Sequence, residues 1–149
     1  MKILSYNPGH DGAVAFIEDS RLRFSLEAEK DSNYRYSAIT VAQVLDAVGE
    51  LDAIPDVICM SGWWPLDHHE FLHGSHRNGG YRGVTPEAAI IDRGRMLRGR
   101  ADYFSSTHER SHILCAFGMS PLPQGTPCYA LIWEGEMGGF YEIDENLNI

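Results

Sequence analysis

Lys2-Ile3-Leu4-Ser5-Tyr6-Asn7-Pro8-Gly9-His10-Asp11-Gly12-Ala13-Val14-Ala15-Phe16-Ile17 opens the chain as two apolar runs joined by a polar, glycine-containing loop. Lys2 to Tyr6 forms a short apolar strand, and Asn7 to Gly12 holds residues that turns prefer. Ala13 to Ile17 is a second apolar run. Beyond the polar turn Glu18-Asp19-Ser20, Leu22, Phe24 and Leu26 alternate with Arg21, Arg23 and Ser25, which is the period of a strand with two unlike faces. Three sequential strands are therefore expected, as an antiparallel meander.

Downstream the pattern changes. Val41, Val44, Leu45, Val48 and Leu51 recur at helical spacing behind a capping Thr40. Val57 to Met60 reads as a buried strand. A polar and aromatic region from Ser61 to Thr85 then carries Trp63, Trp64, His68, His69, His73 and His76, and a loop of that length is usually functional. Pro86 suits the first turn of a helix to about Arg100. Asp102 to Ser106 reads as a strand, His108 to Gly118 as a helix, and Tyr129 to Trp133 with Phe140 to Ile143 as a closing hairpin. The order implies an α/β fold: a mixed sheet with an initial meander and helices on its faces. The 149 residues fit a single domain.

Twelve basic against twenty-one acidic residues give a formal charge of -9, which opposes a phosphate backbone and disfavours nucleic-acid partners. No apolar run is long enough for a membrane helix, so a soluble, cytoplasmic domain with reduced cysteines is expected. Only Lys2 and Lys30 are lysines. Arg93, Arg95, Arg98 and Arg100 crowd eight residues, either as a solvated helix face or as a local anion site.

The sharpest chemical signal is His108-Glu109-Arg110-Ser111-His112. Imidazoles four apart on a helix share a face and can meet one divalent ion, with a carboxylate such as Glu134 or Glu136 as the third donor. The same five residues satisfy the zinc-protease pattern, in which Glu109 would be the general base. The absence of a later histidine ligand argues against that use. In the opening loop, His10 and Asp11 are candidates to orient substrate or move a proton, with an ordinary turn as the alternative. Asp67-His68-His69-Glu70 with His73 and His76 reads as a substrate-facing loop rather than a metal site.

Taken together, Ile3 to Ala13, Leu26-Glu27-Ala28-Glu29-Lys30, Thr107 to Phe117 and Leu131-Ile132-Trp133-Glu134-Gly135 resemble the amino-terminal part of the O-carbamoyltransferases of antibiotics and nodulation factors. That family is related to the tRNA threonylcarbamoyl transferase. The resemblance implies an actin-like ATPase, or ribonuclease H-like, fold of which residues 1–149 would be the first subdomain. It implies a divalent metal, iron or similar, held by His108, His112 and Glu134. It also implies His10 and Asp11 near the transferring group, and phosphate steered by Arg95 or Arg98. ATP and carbamoyl phosphate would be co-substrates, and a small-molecule hydroxyl the acceptor. Two departures stand out: Glu134-Gly135 replaces the family's Asp-Gly, and the following segment reads Glu136-Met137-Gly138-Gly139. Further domains, or a partner chain, would complete the reaction. A tRNA threonylcarbamoylation protein and a catalytically incomplete binding module are the alternatives.

Overall fold

The structure is a computed structural model, and it describes residues 1–9, 11–62 and 78–149. The side chain of Arg95 also lies outside the description. The expectations for His10, and for Trp63, Trp64, His68, His69, His73 and His76, therefore fall outside the described residues.

The meander is present. β1 (Lys2–Asn7), β2 (Ala13–Glu18) and β3 (Arg21–Glu27) pair antiparallel in sequence. A short helix, α1 (Ala28–Ser32), follows, then α2 (Val41–Gly49), β4 (Val57–Met60), β5 (Ile90–Met96) and β6 (Ala101–Ser105). The six strands form one sheet in the order β3-β2-β1-β4-β6-β5. β4 lies parallel to both β1 and β6, whereas β5 runs antiparallel to β6. After α3 (His108–Gly118) come β7 (Cys128–Glu134) and β8 (Met137–Ile143), a separate antiparallel hairpin.

Local chemistry explains the boundaries. Thr40 and Gln43 form a reciprocal capping box that starts α2. That helix rests on the sheet through Val44 and Ala47, with Leu51 just beyond its end, against Leu4, Val14 and Phe16. Val41 and Leu45, expected on the buried face, are 76% and 66% exposed, because the apolar arc of α2 is wider than its contact with the sheet. The second core joins Ile113 and Phe117 of α3 to Ile132, Met137 and Ile143 of the hairpin, with Tyr81 between them.

The helix expected from Pro86 to Arg100 is not formed. Pro86 opens only a single 3-10 turn, Pro86–Ala88, and the chain then extends into β5. Ile90 and Ile91 are β-branched and sit comfortably in the ladder to β6. Gly94 adopts φ +69 and donates its N–H to Asp102 Oδ1 at 3.2 Å, while Leu97, Arg98 and Gly99 turn the chain at positive φ. These backbone angles are incompatible with a helix, and they convert the arginine cluster into a strand and its hairpin turn.

Two glycines are fixed by close approach. A Cβ on Gly62 would fall 2.3 Å from Gly80 O, and one on Gly79 would fall 2.3 Å from Ser106 C. Gly79→Ala is expected to destabilise the protein by about 1–3 kcal/mol, since the obstructing atoms are backbone. An unchanged urea midpoint would contradict that packing.

All three cysteines are free thiols. Cys115 is exposed, whereas burial pushes the Cys59 thiol up to about 11. Between pH 9 and 11 the folded state keeps a Cys59 proton that the unfolded chain sheds, so this group's contribution to stability is lost as pH rises through that window. At pH 8 iodoacetamide is expected to modify Cys115 well before Cys59. Equal rates by peptide mass mapping would refute the assigned burial.

Candidate metal centre

Because β1, β4 and β6 are parallel, the segments that leave them emerge at one end of the sheet. The Asn7 loop, Ser61 and the start of α3 gather there, which is where open α/β sheets place ligands. Asn7 organises its loop: its side-chain oxygen accepts from Gly9 N at 3.3 Å and from Ser61 Oγ at 3.0 Å. A cavity of about 200 Å³ lies between Asn7, Ser61, Ser106 of the β6–α3 junction and Ser111 of α3. The Ser106 hydroxyl is buried and has no hydrogen-bond partner among the described residues.

The first turn of α3 is fully occupied. Thr107 accepts from Arg110 N at 3.0 Å as the cap. His108 N and Glu109 N donate to Gly80 O and Tyr81 O, both at 3.0 Å. Residues 78–84 thus run as a strap across the helix start. Arg110 donates from Nη1 to Val84 O at 2.6 Å, Thr107 Oγ1 to Gly83 O, and Arg82 to Glu136 O in the hairpin turn.

On this frame the structure brings together His108, His112 and Glu134. Each offers a ligand atom within 4.8 Å of the others. The two Nε2 atoms are 3.1 Å apart, His112 Nε2 is 2.8 Å from Glu134 Oε2, and His108 Nε2 is 3.4 Å from Glu134 Oε1. Donors about 2.1 Å from one ion stand roughly 3.0 to 3.4 Å apart for angles between right and tetrahedral. The separations of 3.1 and 3.4 Å fall in that range, whereas His112 and Glu134 lie closer, at 2.8 Å, and the two histidines face different oxygens of Glu134. Two imidazoles and one carboxylate form a donor set for zinc, iron or a similar divalent metal.

Each donor is placed by its element. The helix supplies the histidine spacing, and the ring of Tyr81 stacks on His108 with centroids 4.9 Å apart and planes 12° apart. Glu134 ends β7 at a two-residue turn whose first member, Gly135, adopts φ +51, the conformation hairpins reserve for glycine. The His108 side chain is 12% exposed, against 47% for His112 and 40% for Glu134, so the centre opens to solvent on the His112 side.

Glu109 points elsewhere. It is 6% exposed, and its two oxygens accept from Gly83 N at 2.7 Å and Tyr141 Oη at 2.6 Å. The protease reading of the motif therefore finds no free general base. Glu136 takes its part through its backbone oxygen, which leaves Glu134 as the carboxylate at the histidines. Asp11 lies in the opening loop with φ +55. Arg95 lies within β5, and Arg98 in the turn before β6, whereas α3 follows β6. A strand of that length separates Arg98 from the histidines by roughly 15 Å.

No family model matches the chain, and no solved structure does either. Curated proteins do. The chain is 44% identical over 149 residues to 3'-hydroxymethylcephem-O-carbamoyltransferase of Amycolatopsis lactamdurans, and 41% identical over 150 residues to the protein of that name from Streptomyces clavuligerus. Both alignments cover 100% of this chain and 28% of the relative. Nodulation protein U of Rhizobium tropici is 30% identical over 156 residues, covering 91% of the chain and 26% of that protein. A metal-suited α/β framework thus meets a family defined by sequence. Over its whole length the chain is similar to a stretch of these O-carbamoyltransferases that makes up little more than a quarter of theirs.

Purified protein is expected to retain one divalent ion, and the His108→Ala, His112→Ala double variant none. Equal metal content by mass spectrometry would remove the centre.

Proposed function

We propose that these residues form the metal-binding part of an O-carbamoyltransferase, in which a carbamoyl group from carbamoyl phosphate, activated through ATP as carbamoyl-adenylate, passes to the hydroxyl of a small-molecule acceptor. The convergence of His108, His112 and Glu134 carries the reading, together with the whole-chain likeness to proteins named for that chemistry. Those names favour an acceptor with a hydroxymethyl group, of the 3'-hydroxymethylcephem kind. An antiparallel meander leading into parallel strands β1, β4 and β6 is consistent with the actin-like, ribonuclease H-like fold expected from sequence.

A bound divalent ion, iron or similar, would supply Lewis-acid polarisation of the carbamoyl carbonyl or of the acceptor hydroxyl. His108 and His112 direct Nε2 atoms to one point, and the Tyr81 ring limits rotation of His108. Glu134 contributes one negative charge, which offsets part of the charge of a dication. The exposed side at His112 leaves room for substrate. His10 and Asp11 are assigned to substrate orientation and proton removal from the hydroxyl, and Asp11 stands in the loop that leaves the same end of the sheet. Ser106 lines the cavity between that loop and α3. Arg98, near the opposite end of β6, is given no part in the transfer. The charge of -9 weighs against a tRNA acceptor.

Since the chain spans 28% of its relatives' length, the 149 residues alone are expected to bind metal without completing the transfer. A polypeptide of the relatives' full length, given carbamoyl phosphate, ATP, ferrous iron and a hydroxymethylcephem, is expected to carbamoylate it. Removing both imidazoles should lower that rate by at least about 100-fold, in keeping with a Lewis-acid contribution of several kcal/mol. Transfer unaffected by the double substitution would overturn the assignment.

A further inference from the structure

We propose that Glu109, with Tyr141, is the positioning residue of the metal centre, locking together the three elements that carry or support its ligands. The inference rests on the metal reading above and adds a role that the histidine spacing does not contain.

The three elements are separate in sequence. α3 carries His108 and His112, the hairpin carries Glu134, and the strap carries Tyr81. Glu109 touches all of them. It sits on α3 itself, its backbone N–H holds Tyr81 O, its Oε2 accepts from Gly83 N in the strap, and its Oε1 accepts from Tyr141 Oη on β8. Tyr141 pairs with Ala130 of β7, the strand that ends in Glu134. The ring that Glu109 helps to hold, Tyr81, is the one stacked on His108.

A carboxylate at 6% exposure is costly unless its oxygens are satisfied, and two donors satisfy this one. Each comes from a different element, so displacement of either the strap or the hairpin breaks a hydrogen bond to a buried charge. That penalty makes the relative placement of the ligands stiff. Ile113 and Phe117 on the same helix contribute apolar contact, which is less directional than two short hydrogen bonds. Glu109 therefore orders the donors without touching an ion, as outer groups around metal ligands commonly do.

The test compares Glu109→Gln and Tyr141→Phe with Ile143→Val, a truncation in the same core that changes none of these hydrogen bonds. Co²⁺ affinity and the visible Co²⁺ absorption bands are measured for each, alongside thermal stability. Glu109→Gln and Tyr141→Phe are expected to weaken Co²⁺ binding by about 10- to 100-fold and to alter the band shape, whereas Ile143→Val changes stability alone. Affinity and spectrum that stay at wild-type values in both substitutions would overturn the positioning role.

Wild-type protein that binds no Co²⁺ would overturn the metal reading instead. In that case the proton shift of His108 Cε1–H, set by the Tyr81 ring, decides the placement. It is expected to move in Glu109→Gln and Tyr141→Phe and to hold in Ile143→Val. A shift that holds in all three would refute the role of Glu109 independently of metal.

Discussion

Helix α3 begins where its first backbone donors find partners outside the helix, and the rest of the molecule depends on that constraint. His108 N and Glu109 N are claimed by Gly80 O and Tyr81 O, and Arg110 N by the Thr107 side chain. Without those partners the first turn would fray, and His108 stands in it. The close approach of Gly62 and Gly79 to the β6–α3 junction brings the strap near enough to supply the carbonyls. One imidazole is therefore positioned by hydrogen bonds made to its own backbone as much as by helical periodicity.

The hairpin completes the arrangement from the other side. Its inward residues Ile132, Met137 and Ile143 pack on Ile113 and Phe117, and this apolar contact sets the distance between β7 and α3. Glu134 shares a face with Ile132, two residues earlier, so the alternation that buries the isoleucine also carries the carboxylate toward the histidines. The outward residues Tyr129, Leu131, Trp133 and Phe140 are mostly exposed. Burial and the placement of the Glu134 carboxylate are thus two consequences of the same strand register.

Much of this was legible in the residues. The meander, the Thr40 cap, β4 and the histidine helix from His108 to Gly118 each follow from local periodicity or capping, and local signals survive folding when tertiary packing agrees with them. Pro86 to Arg100 shows the opposite case. Proline at a helix start and four arginines look helical, but Gly94, the Leu97–Gly99 turn and a neighbouring β6 edge favour a strand. The triad was readable because two donors lie one helical turn apart and a third sits at a strand end before glycine. The partners of Glu109 were not, since Gly83 N and Tyr141 Oη lie 26 and 32 residues away and no local pattern marks either contact. The motif instead suggested a general base at that position.

The geometry of His108, His112 and Glu134 points to one ion bound by all three. Anomalous diffraction from a crystal grown with a divalent transition metal tests it most directly. A single strong peak is expected about 2.1 Å from both Nε2 atoms and from a Glu134 carboxylate oxygen. A peak elsewhere on the protein, with these three side chains left uncoordinated, would contradict it.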